Sequence, residues 1–227
     1  MLDAVGVTQI RPLLLALFKR FPPEEVKKAM PMAVAWAVRF LICGSGGSGT
    51  LETYYSDSAH KVSTGAIKTA AGLHKAMKSA VPDDRTFEDA FVVATVSKTH
   101  LAKYYLRVLE CQKNAKGDEL VVNPDTDKVN LEHILPQTPA ANWPHVTPEE
   151  HSAFIKRIGN LTILNKRLNA KAANGSFADK KKIYATSHIT LTKELDKHAQ
   201  WTVKEIEDRQ RELAKLAVSA RPAQPRS

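Results

Sequence analysis

Leu131-Glu132-His133-Ile134-Leu135-Pro136-Gln137, then Ile158-Gly159-Asn160-Leu161-Thr162-Ile163-Leu164, then Asn165-Lys166-Arg167-Leu168-Asn169, is the stretch on which the reading of this chain turns. Val129-Asn130-Leu131 and Leu161-Thr162-Ile163-Leu164 are short runs of strand character. Asn165 to Ala173 is a short basic helix candidate, with Asn174-Gly175 as a left-handed stop. A carboxylate beside a histidine on one strand, an asparagine opening a second, and an asparagine on the next helix make a β-β-helix pocket. Glu132 offers hard oxygens suited to Mg²⁺, and Asn169 can add a neutral carbonyl oxygen. An unperturbed His133 imidazole is mostly uncharged at neutral pH and can take a proton from water. Neighbouring residues of a regular strand point to opposite faces, so both can serve one site only where the strand ends or distorts. Pro136 supplies a reason for it to do so.

Outward from this stretch, the chain has 227 residues, enough for one large or two modest domains. An apolar fraction of 43% excludes a disordered chain. Thirty-three basic against 24 acidic side chains leave +9, which points to an acidic partner such as nucleic acid or an anionic membrane surface. The excess is concentrated: Ile155 to Lys182 holds eight basic residues and only Asp179 opposite. Two cysteines, Cys43 and Cys111, exclude a disulfide scaffold and a four-cysteine zinc site. The most apolar run, Met32 to Cys43, is too short to span a bilayer and carries Arg39. The first residues lack the basic region and cleavage site of a signal peptide.

The first half reads as helices. Ile10 to Phe18 is broken by Pro22-Pro23, a new start follows at Glu24-Glu25, and Ala33 to Ile42 is apolar nearly all round. Thr86 with Asp89 resembles a capping start for Phe87 to Val96, and Leu101 to Leu109 repeats the apolar spacing. Later helices are expected over Phe177 to Tyr184 and Val203 to Ala217. The expected organisation is a helical domain over 1–115, a linker over 116–128, a β-β-helix domain over 129–219 wrapped by C-terminal helices, and a flexible tail over 220–227. Its class is α+β, mostly helical.

Gly44-Ser45-Gly46-Gly47-Ser48-Gly49 matches the dinucleotide-binding pattern by letter. That mechanism needs a strand before the glycines and an acid about twenty residues on. The run before these is helical and the acid is missing, so this is a loop. His145 and His151 lie in the insertion between His133 and Asn160 without ligand spacing and read as loop residues. Trp143 reads as packing that insertion down. Asn165, one turn before Asn169, is the rival ligand.

At these residues a family resemblance enters. The acid-His pair, middle Asn and final Asn resemble the HNH, or His-Me finger, nucleases. More closely, Glu132 to Gln137, Gly159 to Thr162, Phe177 with Lys180, Tyr184, and Trp201 with Ile206 and Arg209 are similar to the C-terminal nuclease domain of GmrSD-type restriction proteins. Ssp-type restriction proteins share the arrangement, and residues 1 to 115 resemble, more loosely, the preceding helical region. The resemblance implies a ββα-metal fold and a cytoplasmic, prokaryotic DNA endonuclease acting in restriction. In it His133 is general base, Glu132 and Asn169 hold one Mg²⁺ or Mn²⁺, and Asn160 fixes the loop that orients His133. Lys166, Arg167, Lys171 and Lys180 are the candidates for contact with double-stranded DNA. Many HNH nucleases have Asp where this chain has Glu132. An N-terminal nucleotide-hydrolysing sensor domain, marked in relatives by Asp-Gly-Gln-Gln-Arg, is expected as partner, and that string is absent here. The chain therefore reads as the C-terminal part of a larger protein or a free-standing effector. The alternatives are an inert DNA-binding module and a structured-RNA nuclease of the same fold.

Overall fold

In the computed structural model, residues 6–44, 48–114, 128–139 and 142–224 are described. The expected linker over 116–128 (apart from Lys128), Ser45 to Gly47 of the glycine run, and the last three residues of the expected tail lie outside them. The fold is α+β and mostly helical, with one two-stranded sheet among the described residues. It divides into two units: the described residues up to Phe91 with those from Arg221, and Val92 to Ala220. The division falls before the helix over Thr99–Lys113, which packs with the second unit although the sequence reading groups it with the first domain.

The first unit holds α1 (Arg11–Arg20), α2 (Pro23–Cys43), α3 (Ser48–Ser63) and α4 (Ala70–Met77), and α5 (Asp84–Val93) begins in it. Proline at the first position of α2 costs nothing, because that N–H has no helical partner. The all-round apolar run then forms the core, with Trp36 and Ala37 wholly buried. A helix and not a strand precedes the glycine run, closed by Gly44 with φ 59°, so the dinucleotide pattern fails, and Ser48 and Gly49, read as loop, are the first residues of α3. Arg39 is also 0% exposed: it donates to Pro82 O (2.9 Å) and Arg221 O (2.7 Å), pairs with Asp84, and lies over the Phe87 ring. Arg221, in the segment read as a loose tail, is thus held. The cap of α5 is Asp83, whose Oδ1 accepts from Thr86 N at 2.7 Å; Thr86 lies one turn inside the helix rather than at its start.

The second unit contains α6 (Thr99–Lys113), β1 (Val129–His133), α7 (Pro148–Phe154), β2 (Leu161–Asn165), α8 (Lys166–Ala172), α9 (Phe177–Tyr184), α10 (Thr190–Lys193) and α11 (Val203–Ala220). β1 and β2 are antiparallel, registered from Val129↔Asn165 to His133↔Leu161. Leu164 of β2, with Ile134 and Leu135 just past the end of β1, meets Trp143, Phe177, Tyr184, Trp201 and Ile206 in one core. Asn165 caps α8, its Oδ1 accepting from Arg167 N at 2.9 Å. The expected left-handed stop at Asn174-Gly175 is displaced: the positive φ, 39°, falls on Ala173. Buried Glu110 of α6 accepts from the N–H groups of Thr190 and Leu191, answering otherwise unpaired donors at the start of α10.

Candidate active site

β1 and β2 run side by side into α8, so Glu132, Asn160 and Asn169 come together although they are far apart in sequence. Glu132 faces inward, 5% exposed. Its Oε1 accepts from Lys180 Nζ (2.8 Å) and Tyr184 OH (2.7 Å), and its Oε2 accepts from Asn169 Nδ2 (2.9 Å). The same Asn169 amide donates to Leu131 O at 3.2 Å. Burial pushes the Glu132 carboxyl up and the Lys180 amine down from their ordinary values, while the contact between them opposes both shifts. Such a pair adds little net stability, but deleting one partner strands the other charge, at about 3–5 kcal/mol.

His133 occupies the last position of β1, half-buried, with no side-chain hydrogen bond among the described residues. Burial, then the Lys180 charge, then His151 lower its pKa from the usual 6.5 to about 4. The imidazole is therefore neutral at pH 7, able to accept a proton. Its main-chain carbonyl accepts from Lys180 Nζ at 2.8 Å.

Asn160 is 0% exposed. Its Oδ1 accepts from Leu135 N (2.8 Å) and Trp201 Nε1 (3.1 Å), and its Nδ2 donates to Leu135 O (3.0 Å) and Ile155 O (3.3 Å). Ile134 N adds a bond to Asn160 O at 3.0 Å. Every polar atom of the side chain is engaged, so Asn160 clips the chain leaving His133 to the turn before β2. It belongs to the frame and does not reach a substrate. Gly159 must be glycine: a Cβ there would stand 2.2 Å from Ile206 O of α11. From α11, Arg209 Nη1 donates to Gly159 O (2.6 Å) and Leu161 O (2.8 Å), and Gln210 Oε1 accepts from Gly159 N (3.0 Å).

Of the four basic candidates, Lys166, Arg167 and Lys171 are exposed on α8. Lys180 is not: it is 0% exposed and bonded to Glu132 and His133, so its assignment as a phosphate contact is corrected. His151 Nε2 donates to Pro136 O (2.9 Å) and His145 Nε2 to Trp201 O (3.1 Å), both loop-fastening roles. Trp143, 3% exposed, packs the insertion down, as expected.

The free oxygens decide whether a divalent cation fits. A carboxylate has about four lone-pair sites, and three are taken on Glu132, leaving one on Oε2. The Asn169 NH₂ is fully spent and its Oδ1 accepts no bond among the described residues. Two hard oxygens of this kind fit an ion such as Mg²⁺, which keeps most of its own waters. No three His, Cys, Asp or Glu side chains gather into a cage among the described residues.

A family model for the C-terminal domain of GmrSD restriction endonucleases matches residues 81–216. The chain belongs to that family. Comparison with curated proteins yields no match. In this GmrSD C-terminal domain the matched span contains every residue of the site, its clip and its frame. Among the described residues no helix is long and apolar enough to cross a membrane.

What the sequence reading missed is the inward roles of Lys180, Arg209 and Gln210. Lys180 lies between Phe177 and Tyr184 at helical spacing, and Arg209 and Gln210 share the buried face of α11 with Ile206 and Leu213. A polar residue on an apolar stripe was the available signal, since burial there demands a partner.

Proposed function

We propose that this domain is an HNH-type endonuclease that hydrolyses duplex DNA as the effector of a restriction protein, with a nucleotide-hydrolysing sensor domain as its partner. The observation that carries the reading is the meeting of Glu132 and Asn169 at 2.9 Å beside His133, whose imidazole is held neutral. His133 takes a proton from a water as that water's oxygen bonds to phosphorus. The P–O3′ bond breaks, leaving a 5′ phosphate and a 3′ alkoxide that gains its proton from solvent. Glu132 and Asn169 hold one Mg²⁺ or Mn²⁺, which when bound polarises the scissile phosphate and steadies the departing oxygen. The phosphate's own charge moves the His133 pKa back towards neutrality as substrate binds, making it a better base. Asn160 and Lys180 hold the end of β1, and Lys166, Arg167 and Lys171 meet backbone phosphates.

The test is supercoiled plasmid incubated with Mg²⁺, Mn²⁺ or chelator, using wild type and Asn169→Ala, beside a labelled structured RNA. Relaxed or linear plasmid is expected with metal only, and only from wild type. Equal cutting in chelator would refute the metal assignment, and cutting of RNA alone would move the substrate to RNA.

A further inference from the structure

The Glu132 carboxylate already has a cation. Lys180 Nζ sits 2.8 Å from Glu132 Oε1 and 2.8 Å from His133 O, its side chain almost wholly buried. Tyr184 OH reaches the same Oε1 at 2.7 Å. One ammonium thus binds the side chain of residue 132 and the main chain of residue 133, at the end of β1 where the register stops at His133↔Leu161.

We infer that Lys180 is the positioning residue of this site: its ammonium balances Glu132 and fastens the His133 main chain before any metal arrives, and it weakens metal binding. The inference rests on the reading that Glu132 and Asn169 hold the cation. Three physical points support it. A buried carboxylate must be paired, or it protonates. The bond from the buried lysine to the His133 carbonyl fixes the main chain at the last paired residue of β1, so that one ammonium holds both residue 132 and residue 133. A positive charge bonded to Oε1 repels a second cation at Oε2, so affinity at the carboxylate is lower than the carboxylate alone would give. The consequence is a site that folds without metal and exchanges metal readily.

The experiment uses the full chain, stripped with chelator, as wild type, Lys180→Met and the double variant Glu132→Gln/Lys180→Met. Melting temperature is read in chelator and in Mn²⁺, and the Mn²⁺ dissociation constant is read by electron paramagnetic resonance, with no substrate present. Wild type should melt at nearly the same temperature in both buffers. Lys180→Met should melt several degrees lower in chelator, recover most of that loss in Mn²⁺, and bind Mn²⁺ at least about tenfold tighter, since a stranded carboxylate takes the ion. The double variant should regain stability in chelator and lose the response to Mn²⁺. Lys180→Met binding Mn²⁺ no tighter than wild type, or a double variant no more stable than Lys180→Met, would overturn the inference. Wild type that responds as described yet cuts no plasmid would count against the nuclease reading and leave this one standing.

Discussion

Replacing Asn160 with alanine removes four hydrogen bonds at a position with no solvent exposure. Two donors, Leu135 N and Trp201 Nε1, lose their acceptor. Each stranded buried donor costs about 1–3 kcal/mol, so the loss is about 2–6 kcal/mol, with the lower end reached if water enters the vacated space. Against a typical total of about 5–15 kcal/mol, the variant stands close to unfolding. Asn160→Asp separates the bonds: it keeps the acceptor for both donors but sets an oxygen against Leu135 O (3.0 Å) and Ile155 O (3.3 Å). A protonated acid can donate to one of these, so this variant should gain on the alanine variant as pH falls. Urea unfolding of the full chain followed by far-ultraviolet circular dichroism gives both losses from the shift in midpoint. A loss for Asn160→Ala below about 0.5 kcal/mol, the size of an ordinary surface change, would refute the role given to this clip.

Gly159→Ala should cost about 3 kcal/mol or more, because a Cβ 2.2 Å from Ile206 O obliges α11 to shift; a thermal melt unchanged from wild type would contradict that. His133, lowered from 6.5 to about 4 by burial, the Lys180 charge and His151, binds its proton in the unfolded chain first. Its contribution is therefore complete above pH 6.5 and lost as pH falls towards 4, at about 1–2 kcal/mol between pH 7 and pH 5 after allowance for its partial exposure. Metal-free urea midpoints at the two pH values, compared between wild type and His133→Gln, measure it, and a difference of opposite sign would contradict the shift. Replacing Lys166, Arg167 and Lys171 with alanine should flatten the salt dependence of duplex binding by about 0.9 per lost phosphate contact, read by fluorescence anisotropy. An unchanged slope would show these charges to be surface solvation.

The elements that carry the site were legible because their signals are local. β1 and β2 show strand character over a few residues, α9 is bounded by Ser176 and the end of its apolar pattern, and the order Glu132, His133, Asn160, Asn169 depends only on spacing. What eluded sequence reasoning depends on distance in the fold. Lys180 read as a phosphate contact from its charge and its position in the family pattern, and only the packing of α9 shows that it turns inward to Glu132. The basic excess over Ile155 to Lys182 shrinks on the surface for the same reason. Lys180 is buried, Arg157 donates to Gln210 and Val92, and Lys182 pairs with Asp179, while Lys156, Lys166, Arg167 and Lys171 remain exposed. The positive φ at Ala173, with glycine two positions on, had no sequence signal.

In the proposed mechanism His133 takes the proton from the attacking water. Single-turnover cleavage of supercoiled plasmid by wild type and His133→Ala, with and without added imidazole, isolates that step. A loss of about 10²–10⁴-fold is expected for His133→Ala, the range of general-base catalysis, with part of the rate restored by imidazole. Cleavage by His133→Ala at the wild-type rate would contradict it.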